Sequence, residues 1–192
     1  VDSAQTVSRV VVATSTHDSD DPIVAFCAEE ARHCFRGSLD DVASRLLGAA
    51  DESRVSNFIR ISGDSPVIDP HLIDHAVSVF QEHQPDLVTN VFPRTFPAGQ
   101  SIEVIATDSL RRLWLKQCGF ADAASLKEHV TTGFYNSPDS WNIVNIASDM
   151  PGPHPSLAVD TPADLARLDL LVRRLSRGPS GWKDLLRLLD AT

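Results

Sequence analysis

No apolar run in these 192 residues approaches the roughly 20 consecutive apolar residues that a bilayer-spanning helix needs. Nor is there a run of lysine or arginine, and the formal net charge is −9. Nucleic acid is therefore a poor fit as a partner, because phosphate-backbone binding needs a positive stripe. A nucleotide is not excluded, since metal ions can carry the positive charge. Three cysteines (Cys27, Cys34 and Cys118) leave an odd count with no C-x-x-C spacing, and the simple expectation is reduced thiols in a cytoplasmic protein. The nine glycines include no G-x-G-x-x-G and no Walker-type run. The opening residues, VDSAQTVSR, do not read as a secretory signal and lead straight into the apolar run VVVAT, as in an excerpt from a longer chain.

What is present is ordinary globular composition, 42% hydrophobic and 22% charged, enough for one domain with a sizeable core. Short β-branched runs alternate with amphipathic helical stretches, which predicts an α/β domain with a mostly parallel sheet, three layers thick and Rossmann-like. Arg9 to Thr14 reads as a strand buried on both faces. Asp21-Pro22 then predicts a helix start. After a short strand at His33 to Phe35, Ser38 and Asp41 form a capping box for a helix with Val42, Leu46 and Ala49 on one stripe. Asn57 to Ile61 is the next strand. Asp69-Pro70 starts a helix with Leu72, Ile73, Ala76, Val77 and Phe80 inward, and Leu87 to Thr89 is a further strand.

The second half of the chain continues the alternation. Residues 90–106, with two prolines and a glycine followed by alternation, suggest an excursion or hairpin. Helices are expected at Thr107 to Cys118 and Leu126 to Asn136, and short strands at Ile143 to Ile146 and Leu157 to Val159. Thr161-Pro162-Ala163-Asp164 is a capping box for a helix bearing Leu165, Leu168, Leu171, Val172 and Leu175. Residues 176–192 hold a linker and a C-terminal amphipathic helix, whose leucines at 185, 186, 188 and 189 are expected to pack on the parent domain.

Two acidic loops carry candidate chemistry. Asp64, in RISGDSPVIDP, follows a predicted central strand, where open α/β sheets place ligands. Gly63 beside it frees the backbone to turn and lets a ligand approach closely. A carboxylate there suits Mg²⁺, which prefers oxygen ligands; it could equally cap the following turn. Asp160, in LAVDTPADL, also follows a short apolar strand. Thr161 already suits the cap, so Asp160 reads either as a second metal ligand or as a solvated loop residue. Asp18-Ser19-Asp20 matches the D-x-D of metal-dependent glycosyltransferases, but it lies before a proline-started helix, where solvation and capping account for it. His71 and His75 are one helical turn apart, yet no third ligand has matching spacing, and a solvated helix face is the better reading.

VVATST, DDPI, FRGSLDDV, RISGDSPVIDP, RTFPAGQSIEV, KEHVTTGFYN, VDTPADL and WKDLLRLLD occur in this order. Together they resemble the cytidylyltransferase-like enzymes of spore coat polysaccharide synthesis, relatives of CMP-3-deoxy-octulosonate and CMP-sialic acid synthetases. The resemblance runs from Arg9 to Asp190. It implies a Mg²⁺-dependent reaction of CTP with a sugar hydroxyl, giving a CMP-sugar and pyrophosphate. Asp64 and Asp160 would be the catalytic metal ligands, Gly37, Ser38 and Gly63 would contact the nucleotide, and Arg94, Glu103 and His129 would border the sugar. Relatives also imply a homodimer through the 90–106 segment.

The chain departs from that pattern in two places. The family opens with a strand, a Gly/Ser/Arg/Lys-rich phosphate loop and a helix, and nothing here corresponds to them. The expectation is a gap or an unpaired sheet edge beside the strand at Arg9 to Thr14. Where relatives carry Pro-Asp-Gly and a second Asp, this chain has Pro97-Ala98-Gly99 and Ser101. A non-catalytic relative serving as a binding or assembly module is the alternative these departures raise.

Overall fold

A computed structural model describes residues 1–117, 129–150, 152–175 and 181–190. Along the chain come β1 (Val11–Ser15), α1 (Asp21–Glu29), β2 (His33–Gly37), α2 (Val42–Ser53), β3 (Asn57–Arg60) and α3 (Pro70–His83). Then follow β4 (Leu87–Thr89), β5 (Glu103–Ala106), α4 (Thr107–Gln117), α5 (Thr132–Tyr135), β6 (Ile143–Asn145), α6 (Pro162–Arg174) and α7 (Trp182–Asp190). Residues 118–128, which include Cys118 and the start of the helix expected at Leu126, lie outside the described residues, as do 176–180 of the late linker.

Successive residues of a strand face opposite sides, and the sequence exploits this at every strand of the larger sheet. Leu87 and Ile105 join Phe58 and Ile143 in one core, together with Ala43 and Leu47 of α2, Leu110 and Leu113 of α4 and Phe134 of α5. Their neighbours Val88 and Val104 join Ile59 and Val144 in the opposite core, with Ile73 and Phe80 of α3, Leu168 of α6 and Leu185 of α7. Helices thus cover both faces of the sheet, in a Rossmann-like three-layer arrangement.

The larger sheet is mixed rather than mostly parallel. Its order is β3-β5-β4-β6, with β5 antiparallel to both neighbours and β4 parallel to β6. The cause is the link between β4 and β5, which contains no crossover helix and so returns the chain antiparallel. Of the excursion or hairpin expected at 90–106, the antiparallel pairing of the consecutive strands β4 and β5 is the hairpin form. Residues 91–94 form one tight turn, bridged between Val91 and Arg94 around a cis Phe92–Pro93 bond, and 97–100 a second, closed by Gln100 N–H donating to the Pro97 carbonyl, while Glu103–Ala106 is a buried strand inside the sheet.

β1 and β2 pair in parallel as a separate two-stranded sheet. The break expected beside the first strand is therefore present: among the described residues, β1 and β3 each have one unpaired edge. For the same reason β1 is not buried on both faces. Val11, Val12 and Ala13 are half-buried and belong to neither core. α2 spans the break, setting Gly48 against the Phe35 ring of β2 while Ala43 and Leu47 enter the core under β4 and β5.

Helix starts follow the sequence closely, with two corrections. Asp69 caps α3 by accepting from the His71 N–H at 2.8 Å, and all five expected inward residues of α3 are buried. Thr161 and Asp164 make the expected capping box of α6. α2, however, starts after Asp41, not at Ser38: Ser38 Oγ accepts from the Asp41 N–H, and Asp41 caps by accepting from the Ser44 N–H. Asp21 lies inside α1 instead of capping it. On α6, Leu168 and Leu171 face the core, while Leu165 and Val172 lie on the flank of that row and are exposed. Leu185 and Leu186 of α7 are buried against the domain, as expected.

The segment Leu157 to Val159 is not a strand. Leu157 N–H donates to the Ala98 carbonyl at 2.8 Å and Val159 N–H to the Asp64 carbonyl at 2.8 Å, one bond to each of two loops. Gly99 makes the first contact feasible: its φ is +86°, and a Cβ there would lie 2.3 Å from the Leu157 carbonyl carbon. The next residue, Gln100, is fully buried; its side-chain carbonyl accepts from the Asp69 N–H and its amide donates to the Val67 carbonyl.

Gly99→Ala combines a disfavoured backbone conformation with a backbone clash and should destabilise by roughly 2 kcal/mol or more, read as a lower denaturant midpoint at unchanged slope. A second expectation concerns Asp86, at the start of β4. Burial alone pushes its carboxyl up, but the Ser109 hydroxyl, the Asn142 N–H and the Arg112 guanidinium together hold it below the usual carboxylate range. A depressed carboxyl stabilises above its unfolded value and loses that contribution as pH falls through the folded one. Asp86→Asn should therefore cost about 1–2 kcal/mol near neutral pH, and the difference from wild type should vanish in thermal melts at acid pH.

Candidate active site at the carboxyl ends of the strands

β3, β4 and β6 all deliver their carboxyl ends to one edge of the larger sheet. There β3 gives way to the turn Ser62–Ser65, closed by Ser65 N–H donating to the Ser62 carbonyl. Asp64 is exposed on this turn, and Ser65 Oγ donates to its Oδ1 at 2.9 Å. The Val159–Asp64 bond brings the second acidic loop alongside, so that exposed Asp160, the residue after Val159, stands next to the Asp64 turn. Neither carboxylate caps a helix, because Asp69 caps α3 and Thr161 caps α6.

Gly63 needs no glycine on the fold's account. Its φ is not in the left-handed region, and a Cβ there would meet nothing within 4 Å. The contrast with Gly37 is sharp: a Cβ on Gly37 would lie 2.8 Å from Arg45 Cγ. Gly37 ends β2, and Ser38 follows it at the mouth of the two-stranded sheet. There Arg45 Nη1 donates to the Ser38 carbonyl while Arg45 Nε is buried without a partner. Burial lowers the Arg45 pKa, against the pull of the Asp20 charge. Asp20 of the D-x-D match accepts from Thr14 Oγ1 and the Ser15 N–H, which hold its carboxyl far below the usual range.

The three residues expected beside a sugar fall in different settings. Arg94 is exposed on the 91–94 turn, and its Nη1 donates to Ser101 Oγ at 3.0 Å. His129 is exposed before α5. Glu103 is only 3% exposed; its Oε2 accepts from Arg60 at 2.6 Å and its Oε1 from the Tyr135 hydroxyl at 2.6 Å. Among the described residues, no group of three or more His, Cys, Asp or Glu side chains could hold a metal ion by itself, and His71 and His75 lie on an exposed helix face.

Against this geometry, a family model described as cytidylyltransferase matches residues 1–151. The chain belongs to the cytidylyltransferase family. It is 30% identical over 134 residues to the uncharacterized protein MJ1063 of Methanocaldococcus jannaschii, covering 70% of this chain but 52% of that one, about half its length. It is 26% identical over 185 residues to the spore coat polysaccharide biosynthesis protein SpsF of Bacillus subtilis, covering 95% of this chain and 75% of that one. Among solved structures, a cytidylyltransferase from Leptospira borgpetersenii shares the fold with a TM-score of 0.86 at 24% identity, over 95% of this chain and 76% of that one. A CMP:2-keto-3-deoxy-manno-octonic acid synthetase complexed with CTP superposes with a TM-score of 0.62 at 15% identity, over 90% and 84%.

In this cytidylyltransferase-family chain, sequence reasoning missed Arg60, Thr89, Tyr135 and Asn145, which surround Glu103 and the 91–94 turn. A signal was there to be used: Arg60 and Glu103 are opposite charges, each at the end of a strand beside apolar residues, the pattern of an ion pair drawn into the sheet. Tyr135 has its phenol pKa pushed well above the ordinary value, by burial first and by the adjacent Glu103 carboxylate second, so it stays a neutral donor.

Gly63→Ala should leave the denaturant midpoint unchanged within about 0.5 kcal/mol, because nothing in the fold opposes the added methyl group. A larger loss would mean that the turn itself requires glycine.

Proposed function

We propose that the protein transfers a cytidylyl group from CTP to a sugar hydroxyl, releasing pyrophosphate, in the synthesis of a polysaccharide or glycoconjugate. The observation that carries this reading is the Val159–Asp64 bond, which sets two exposed aspartates on adjoining loops at the carboxyl edge of the sheet. Support for the chemistry comes from the family match, from the likeness to SpsF, a spore coat polysaccharide biosynthesis protein, and from the likeness to a synthetase complexed with CTP.

The donor set fits Mg²⁺, which takes oxygen ligands and usually binds one or two carboxylates together with substrate phosphates. Asp64 and Asp160 would hold it, and bound there it would neutralise charge on the triphosphate. Gly63 leaves the backbone of the turn open to close approach by a phosphate. Gly37 and Ser38 would line the base and ribose. Exposed Arg94, steadied by Ser101, and exposed His129 would orient the sugar so that its hydroxyl meets the α-phosphorus in line, a contribution of positioning rather than covalent chemistry. One observation favours a second reading, a binding or assembly module: the unpaired edges of β1 and β3 are surfaces that a further strand could join.

Calorimetric titration with CTP, with and without Mg²⁺, tests the proposal against an Asp64→Asn, Asp160→Asn double variant. Metal-dependent binding to the wild-type chain that is lost in the folded double variant is the expected result. Equal binding in both proteins would displace the site from these aspartates. No binding to the folded wild type would leave the module reading.

A further inference from the structure

Arg60, Glu103, Thr89 and Asn145 are register partners on four successive strands, and so form one row across the carboxyl edge of the sheet. The proposed chemistry assigns no step to Arg60, Thr89 or Asn145, and Glu103, expected to border the sugar, has both carboxylate oxygens engaged within the protein. The hydrogen bonds of the row nevertheless have a single consistent direction. The Val91 N–H donates to Thr89 Oγ1 at 3.2 Å, and the Tyr135 hydroxyl donates to Glu103. Having spent its proton on Glu103, Tyr135 must accept from the Thr89 hydroxyl at 2.8 Å. Asn145 accepts from the Phe92 N–H at 3.1 Å and donates to the Pro93 carbonyl at 3.3 Å. The Phe92 ring stacks on Tyr135 with centroids 4.7 Å apart. The 91–94 turn is thus fastened to the row at Thr89 and Asn145 and to Tyr135 of α5, which is itself bonded to the row, while Arg60 stands at the root of the turn that carries Asp64.

An apolar core has no need of such a group. Replacing a buried ion pair by apolar residues is often neutral or stabilising, whereas a pair with every oxygen bonded fixes one arrangement. We propose that Glu103 is a positioning residue: it fixes Arg60 and, through Tyr135, the 91–94 turn, so that the loops bearing Asp64 and Arg94 keep one spacing. The role assigned to these loops rests on the proposed function; the coupling itself does not.

Amide hydrogen exchange on the full chain without ligand tests this. Glu103→Gln removes the charge at nearly constant size, and Tyr135→Phe removes only the hydroxyl. Both should speed exchange of the Val91 and Phe92 amides by about tenfold, the effect of losing one net hydrogen bond, while Val88 and Val104 keep wild-type rates. Glu103→Gln should also speed exchange in residues 62–65. Tyr135 is the only tyrosine in the chain, so phenolate absorbance in an alkaline titration reports on this residue alone. Its ionisation should move to lower pH in Glu103→Gln. Unchanged exchange at Val91 and Phe92 in the folded variants overturns the proposal, as does a uniform rise across the sheet, which marks lost stability and not lost positioning. If Glu103→Gln does not fold, Tyr135→Phe decides the matter by itself. Failure of CTP to bind the wild-type chain would remove the proposed function and leave this result intact.

Discussion

Because β5 runs against β3 and β4, its first residue, and not its last, stands where the parallel strands release their loops. Glu103 owes its place to that reversal. A parallel strand in the same slot would put its starting residue at the far edge, beside Asn57 and Leu87. Instead a carboxylate is carried into the end of the sheet from which the Asp64 turn and the 91–94 turn both depart. Side-chain alternation along the same strand sets Val104 and Ile105 into the two opposite cores, each almost fully buried.

Burying an acid in that setting is tolerable only because its lone pairs are occupied. The effective penalty of desolvating a lone carboxylate is several kcal/mol, so Glu103 depends on Arg60 and Tyr135 together. Arg60 lies at the partly open end of the pair, with 29% of its side chain exposed against 4% for Glu103. The pair therefore joins the interior of the sheet to the surface at which ligands of open α/β sheets bind. Similar economy governs Gln100 and Asn90. Asn90 donates to the Gln100 carbonyl and accepts from the Ile102 N–H, so the irregular link between β4 and β5 keeps its buried polar groups satisfied without regular secondary structure.

Much of this was legible in the sequence where a local rule acts alone. The Asp69-Pro70 and Thr161-Pro162 starts and the inward face of α3 follow from capping and helical periodicity, whereas the break beside the first strand was expected only from the family resemblance. What failed depended on partners remote in sequence. The valines of β1 look like a doubly buried strand, but burial requires a neighbour on each side. The apolar stretch at 157–159 looks like a strand, but its backbone bonds go to the turns at Ala98 and Asp64. Ser38 and Asp41 have capping-box spacing, yet Ser38 is occupied by the Asp41 amide, which passes the cap on to Asp41. Asp64 and Asp160 were readable as candidates from their places after apolar segments. Their adjacency was not, since it depends on one hydrogen bond between loops 95 residues apart (159 − 64). The row around Glu103 escaped for the same reason: it is a cross-strand feature, and register is not written in any one strand.

The division into two sheets bears on how the molecule comes apart. β1 and β2 share no ladder with the larger sheet among the described residues; they are attached through the packing of α2 and through the N-terminal segment, where Asp2 pairs with Arg32 and Thr6 with Asp74. A unit held by side-chain contacts, without strand pairing to the rest, opens at lower free energy than the sheet that carries both cores. Fluctuations should therefore begin with β1, α1 and β2, and expose the Gly37–Ser38 mouth while the Asp64–Asp160 loops remain in place. The two halves of the candidate site belong to cooperative units of different rank, and whatever binds across both would draw them into one.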